Sequence, residues 1–163
     1  MRLALCIALV TVVLLGGCAS REELTAKGAA IPAGVDLSGQ WQLRASDRPG
    51  RRSADGSLVH VFLEMGEALK ITQTDFGLFI SFDRAIVEEY RFGEKRRISV
   101  GEIEADRVSG WEDNAYIIET LDMDGVKLIE TYRLVDARTL SRSIVVVDDD
   151  ERHVDVTQSF DRS

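Results

Sequence analysis

Cysteine, histidine and proline are scarce in this 163-residue chain, with two of each. Two cysteines give no disulfide framework, because Cys6 sits in an apolar run at the very start that is expected to be removed, which would leave Cys18 alone. Two histidines, His60 and His153, cannot supply the three or four ligands of a zinc-type site. His60 alternates with Val59 and Val61, and His153 follows an acidic turn, so both are expected to face solvent. Nucleophile elbows, phosphate-cradling glycine loops and dinucleotide fingerprints are missing as well. The expectation is therefore a protein with no metal, no cofactor and no enzymatic machinery. Basic residues are also in deficit, 20 against 28 acidic ones, for a net charge of −8. Such a surface repels phosphate backbones and anionic headgroups, which argues against nucleic acid as a partner. Beyond residue 36 no segment carries the 3.6-residue apolar period of an amphipathic helix.

What is present begins at the N-terminus. Residues 1–17, MRLALCIALVTVVLLGG, place one positive charge, Arg2, before an apolar stretch from Leu3 to Leu15 and then small residues. This is the plan of a signal peptide. The apolar stretch is short of the roughly 20 residues that a spanning helix needs. Leu15-Gly16-Gly17-Cys18 resembles the signal of bacterial lipoproteins, in which an apolar residue and two small ones precede a cysteine. The resemblance implies cleavage before Cys18, a diacylglycerol on its thiol and an acylated (palmitate-type) amine. A thiolate is a suitable nucleophile for that alkylation, and several acyl chains anchor firmly at about 0.8 kcal/mol per buried CH₂. Ala19, where an aspartate would favour the inner membrane, implies the outer membrane, with the domain facing the periplasm. Cleavage removes Arg2 and takes the net charge to −9. The membrane contact is then the lipid and not a basic patch.

About 145 residues remain, enough for one domain with a core of its own. Residues 18–36 are small, polar and weakly patterned and read as the lipidated N-terminus and a flexible tether, with room for a helical turn around residues 21–27. From Leu37 to Ser163 the pattern has period two, broken by turn signals at short intervals. LSGQWQLRA, LVHVFLEM, ALKITQTD, GLFISFD, AIVEEYRF, RRISVGEIEADRVSG, NAYIIETLD, VKLIETYRL, TLSRSIVVVD and RHVDVTQSFD read as strands, with the longest loop at residues 46–57. Eight to ten strands joined by tight turns make an antiparallel meander, and closing it into an up-and-down barrel removes its sticky edges. The fold class is thus all-β, a barrel over residues 37–163.

Gly39-Gln40-Trp41 on the first strand resembles the Gly-x-Trp mark of the lipocalins. The resemblance implies that Trp41 plugs a closed end and that an arginine near the last strand, here Arg162, packs over it. An arginine over an indole is a favourable cation–π pair. The Thr-Asp-Tyr-like segment of that family and its helix after the barrel have no counterpart here, so the resemblance stays at the level of a lipocalin-like, or calycin-like, barrel. Gly110-Trp111 is the candidate for closing the other end.

Polar residues on apolar strand faces carry the remaining signal. Glu130 and Tyr132 share a face with Val126, Leu128 and Leu134; Arg142 shares one with Leu140, Ile144 and Val146; Gln158 shares one with Val154, Val156 and Phe160. Pairing Leu134 with Leu140 sets Tyr132 opposite Arg142 and Glu130 diagonal to it. Pairing Val146 with Val154 sets Arg142 opposite Gln158. Directly opposed side chains lie about 5 Å apart, so Glu130, Tyr132, Arg142 and Gln158 should converge inside the barrel. Three readings follow: an anchor for the head group of an apolar or acidic small molecule, an internal salt bridge, or a wet barrel end. The Asp124-Gly125 turn bears on this: a plain two-residue hairpin faces Glu119 to Glu130, whereas a bulge at Gly125 puts Thr120 there and turns Ile118 and Tyr116 inward. The bulge is the expected form. Asp148 to Glu151 lacks the spacing and glycine of a calcium loop and reads as a solvated turn.

The functional expectation is an outer-membrane-anchored periplasmic lipoprotein whose barrel binds an apolar or acidic small molecule. The alternative is an accessory envelope protein with a solid barrel that works through protein–protein contact.

Overall fold

Alternation of buried and half-buried residues along Thr139–Asp148, with Leu140, Arg142, Ile144 and Val146 inside, sets the pattern for the described strands. In a computed structural model, which describes residues 23–46, 66–100, 103–148 and 151–163, ten strands follow one another. They are β1 (Gly39–Ser46), β2 (Ala68–Gln73), β3 (Gly77–Phe82), β4 (Ile86–Arg91), β5 (Glu94–Val100), β6 (Ile103–Glu112), β7 (Ala115–Asp122), β8 (Lys127–Asp136), β9 (Thr139–Asp148) and β10 (Glu151–Arg162). Every ladder is antiparallel, in the order β4-β3-β2-β1-β10-β9-β8-β7-β6-β5, and no α-helix occurs among the described residues. The expected strand at residues 58–65 with His60, most of the loop before it, and Cys18 lie outside the described residues.

The stretch expected as one strand at residues 96–110 is two, because Val100 pairs with Ile103 across a short connection. The Asp124-Gly125 turn is a three-residue loop. The Asp122 N–H donates to the Val126 carbonyl at 3.0 Å, and Asp122 Oδ1 accepts from the Asp124 and Val126 amides. Gly125, at φ +99°, supplies the left-handed residue such a loop requires. Tyr116, Ile118 and Thr120 point inward as expected. The register differs by two residues from the expected form, since pairing starts at Asp122–Val126: Ile118, not Thr120, stands opposite Glu130, and Glu119 faces Ile129 on the outer surface.

β1 pairs with β10, so the meander curls round on itself. Between β4 and the β5–β6 hairpin the backbone ladder is missing, and side chains span the seam. Arg107 Nη1 lies 3.2 Å from Glu88 Oε2, Arg96 Nη2 donates to the Glu89 carbonyl at 2.7 Å, and Ser109 Oγ donates to the Arg91 carbonyl at 2.9 Å. The result is a nearly closed barrel. Its largest apolar cluster fills one end with Leu37, Trp41, Leu78, Tyr90, Trp111, Tyr116, Leu140 and Phe160 among others. A smaller cluster of Leu128, Ile144 and Val146 lies toward the other.

The described part of the expected tether is packed, which corrects that reading. Leu24 is buried in a cluster with Val108 and Leu121 on the outer wall. A buried leucine contributes about 2 kcal/mol, enough to hold a short segment down. Lys27 reaches Glu112 at 2.6 Å and Glu119 at 2.8 Å. Burial opposes its charge, but the two carboxylates outweigh it and hold the ammonium above the usual lysine range. That contribution is complete below the ordinary lysine value and fades only as pH climbs through the raised one. Gly28 exchanges two backbone hydrogen bonds with Trp111, at 3.1 and 2.8 Å. A Cβ on Gly110 would stand 2.4 Å from the Gly28 carbonyl oxygen, so only glycine lets the two backbones touch there. Residues 31–38 then cross the closed end, where Ile31, Val35 and Leu37 join the main cluster. Gln73 fastens them: its Oε1 accepts from the Leu37 amide and its Nε2 donates to the Val35 carbonyl, both at 3.0 Å. Lys27→Met should lower stability by about 1–3 kcal/mol and speed amide exchange at Gly28 and Trp111, read by hydrogen–deuterium exchange.

Candidate functional site

Three consecutive strands deliver the polar cluster. Tyr132 of β8 stands opposite Arg142 of β9, which stands opposite Gln158 of β10, while Glu130 lies one inward position further along β8. These are the pairings expected from the turns. Glu130 Oε1 accepts from Arg142 Nη2 at 2.7 Å and Nε at 3.2 Å, and from the Tyr132 hydroxyl at 3.1 Å. Gln158 Oε1 accepts from Arg142 Nη1 at 3.2 Å. All four residues have 0 % exposure, which rules out a wet barrel end at this cluster. The guanidinium carbon also lies 5.2 Å from the Phe82 ring centre and 5.6 Å from that of Tyr132. Burial opposes the charge on Arg142, yet Tyr132 and Glu130 together hold its pKa above the ordinary arginine range. Burial pushes the Tyr132 and Tyr90 hydroxyls well up, and the Glu130 charge adds to it in both. Both phenols stay protonated, and Tyr132 donates to Glu130.

Not every atom here has a partner. Glu130 Oε2, Gln158 Nε2 and the Tyr90 hydroxyl are buried without a hydrogen bond. Few buried polar groups are left in that state, and each calls for an explanation.

A second charged group at the seam adds to the site. Arg107, 3 % exposed, donates from Nε to Thr120 Oγ1 at 3.1 Å, meets Glu88, and lies 5.2 Å from the Tyr90 ring centre. The sequence alone does not expose it, because the run containing it reads as one strand with no assigned face. The period-two series Ala105, Arg107, Ser109, Trp111 shows the inward face once the break at residues 101–102 is recognised. Each of the two buried arginines thus faces a carboxylate, Arg142 the buried Glu130 and Arg107 the half-buried Glu88.

At the closed end, Arg162 Cζ lies 4.4 Å from the Trp41 ring centre. Arg162 Nη1 donates to the Ser38 carbonyl at 2.8 Å, and Trp41 Nε1 donates to that of Leu37 at 3.1 Å. Gly39 leaves the room for this: a Cβ there would lie 3.1 Å from Arg162 Nη1 and 3.3 Å from Trp41 Nε1. Trp111, expected at the opposite end, belongs to the same one, stacked edge-on with Tyr116 at 5.2 Å and near Phe92 at 5.6 Å. β6 runs from the other rim, so its last residues arrive at the same end as the start of β1. His153 is exposed, and no group of three metal-binding side chains occurs among the described residues.

No protein-family model and no curated protein matches this chain. Solved structures do match by shape. A Schistosoma mansoni fatty acid binding protein in complex with arachidonic acid aligns with a TM-score of 0.53 at 13% identity, over 77% of this chain and 95% of that one. The Echinococcus granulosus fatty-acid-binding protein 1 gives 0.52 at 11% identity, over 77% and 96%. A secretary abundant heat soluble protein from Ramazzottius varieornatus gives 0.52 at 13%, over 78% and 95%. Among the described residues the barrel has ten strands, where a lipocalin has eight. The fold is therefore calycin-like, all-β and nearly closed, of the kind found in fatty-acid-binding proteins.

Proposed function

We propose that this chain is a lipoprotein, acylated on Cys18 and held at the outer membrane facing the periplasm, whose barrel binds a small molecule with an apolar body. The lipid anchor rests on Leu15-Gly16-Gly17-Cys18. The binding role rests on one observation: a fully buried charged cluster, Glu130, Tyr132, Arg142 and Gln158, in which Glu130 Oε2 and Gln158 Nε2 lack partners. A buried ion pair returns little stability beyond its desolvation cost, so a barrel that needed only to fold would do as well with apolar fill. Likeness to barrels named for fatty-acid binding supports the same reading.

Native mass spectrometry of the full-length protein from a bacterial envelope tests it. The expected result is an acylated chain carrying a small molecule, and the molecule should be lost on Gln158→Leu, which leaves the Glu130–Arg142 pair intact. A second reading, a solid barrel acting as an accessory subunit through protein contact, is favoured by the aromatic fill: Trp41, Phe82, Tyr90, Trp111, Tyr116, Tyr132 and Phe160 are all buried. An acylated chain that carries nothing would select it.

A further inference from the structure

The barrels of similar shape are named for acids, but the interior arginine here already holds a carboxylate. Arg142 gives two nitrogens to Glu130 Oε1 and a third to Gln158 Oε1. The Tyr132 hydroxyl, another donor suited to an acid, is also spent on Glu130 Oε1. The second interior arginine, Arg107, has its charge paired with Glu88 through Nη1 at the seam, while its Nη2 is buried without a partner. A ligand carboxylate would have to displace Glu130 or lie against it, and like charges placed together out of water cost several kcal/mol. The atoms left over around the guanidinium are of opposite kinds: Glu130 Oε2 can only accept, and Gln158 Nε2 can only donate. The neutral Tyr90 hydroxyl, close enough to feel the Glu130 charge, is a second free donor. A carboxylate offers acceptors alone and leaves Glu130 Oε2 unanswered. An alcohol or a primary amide offers a donor and an acceptor together.

From this we infer that the interior site, on the reading that the barrel binds a small molecule, takes an uncharged amphiphile with a hydroxyl or amide head and rejects the corresponding acid. Glu130 is the specificity-determining residue, acting as a built-in substitute for the ligand's acid group.

Decanamide and decanoate form a matched pair of probes that differ in the head group. Each is titrated at neutral pH into the full-length protein, and bound mass is read by native mass spectrometry. The wild type should favour decanamide by about tenfold or more. Glu130→Gln, which removes the charge and keeps the shape, should reverse or abolish that preference by freeing Arg142 for decanoate. Wild-type protein that takes decanoate as well as or better than decanamide overturns the inference and leaves the binding role standing, without recourse to the variant. Wild-type protein and Glu130→Gln that both take neither probe overturn the binding role and the inference with it.

Discussion

Arg142→Met alone will lower the unfolding free energy by about 3–5 kcal/mol, and adding Glu130→Leu will restore most of it. The single change strands a carboxylate that has no exposure and whose Oε1 loses both of its guanidinium contacts, at 2.7 and 3.2 Å. Only the Tyr132 hydroxyl at 3.1 Å remains to it. Gln158 Oε1 loses its guanidinium donor as well. The double change removes both charges from a site walled by Phe82, Ile118 and Ile144, where apolar atoms of similar volume pack well. Urea unfolding of the wild type, both single variants and the double variant gives the coupling energy directly, which should be well above the few tenths of a kcal/mol of independent sites. A near-neutral Arg142→Met would mean that water reaches Glu130 and that the cluster is not sealed.

Trp41→Ala should cost a comparable amount, about 3–5 kcal/mol, for a different reason. Trp41 is 1 % exposed and stands where three parts of the fold meet. Its ring supports Arg162 from the last strand at 4.4 Å, its Nε1–H donates to the Leu37 carbonyl, and its backbone pairs with Leu69 of β2 and Arg162 of β10. Loss of the indole leaves a cavity beneath residues 31–38, removes the donor to Leu37 and unseats the guanidinium that holds the Ser38 carbonyl. Trp41→Phe keeps most of the apolar volume and should cost about 1–2 kcal/mol, mainly the hydrogen bond. Thermal unfolding ranks the two, and limited proteolysis between residues 29 and 38 reports whether the closed end has come loose.

The sequence showed most about β8, β9 and β10. Their turns at residues 136–138 and 148–151 are marked by charge, and their apolar faces alternate without a break, so one register satisfies both signals. Tyr132 opposite Arg142 and Arg142 opposite Gln158 follow from that alone. At Asp124-Gly125 the same reasoning found that the turn is not a plain two-residue hairpin but not its register: the loop takes Met123 as its third residue, which sets the pairing two residues from the expected one. Arg107 was hidden by an unrecognised break at residues 101–102. The N-terminal segment was read as a tether because Leu24, Ile31 and Val35 fall at irregular intervals, and packing by an irregular segment leaves no period in the sequence. Lys27 looks like a solvated charge until the topology brings Glu112 and Glu119 beneath it.

That segment also determines how the domain responds to a mechanical pull. Its attachments stand in series between the N-terminus and the first strand: Leu24 in its seat against Val108 and Leu121, then the two ion pairs of Lys27, then the two hydrogen bonds of Gly28 to Trp111, then the Gln73 clasp. Tension applied to the N-terminus reaches β1 only after these have yielded one after another, each lengthening the chain by a few residues. The β1–β10 closure is thus shielded from tension applied at the N-terminus.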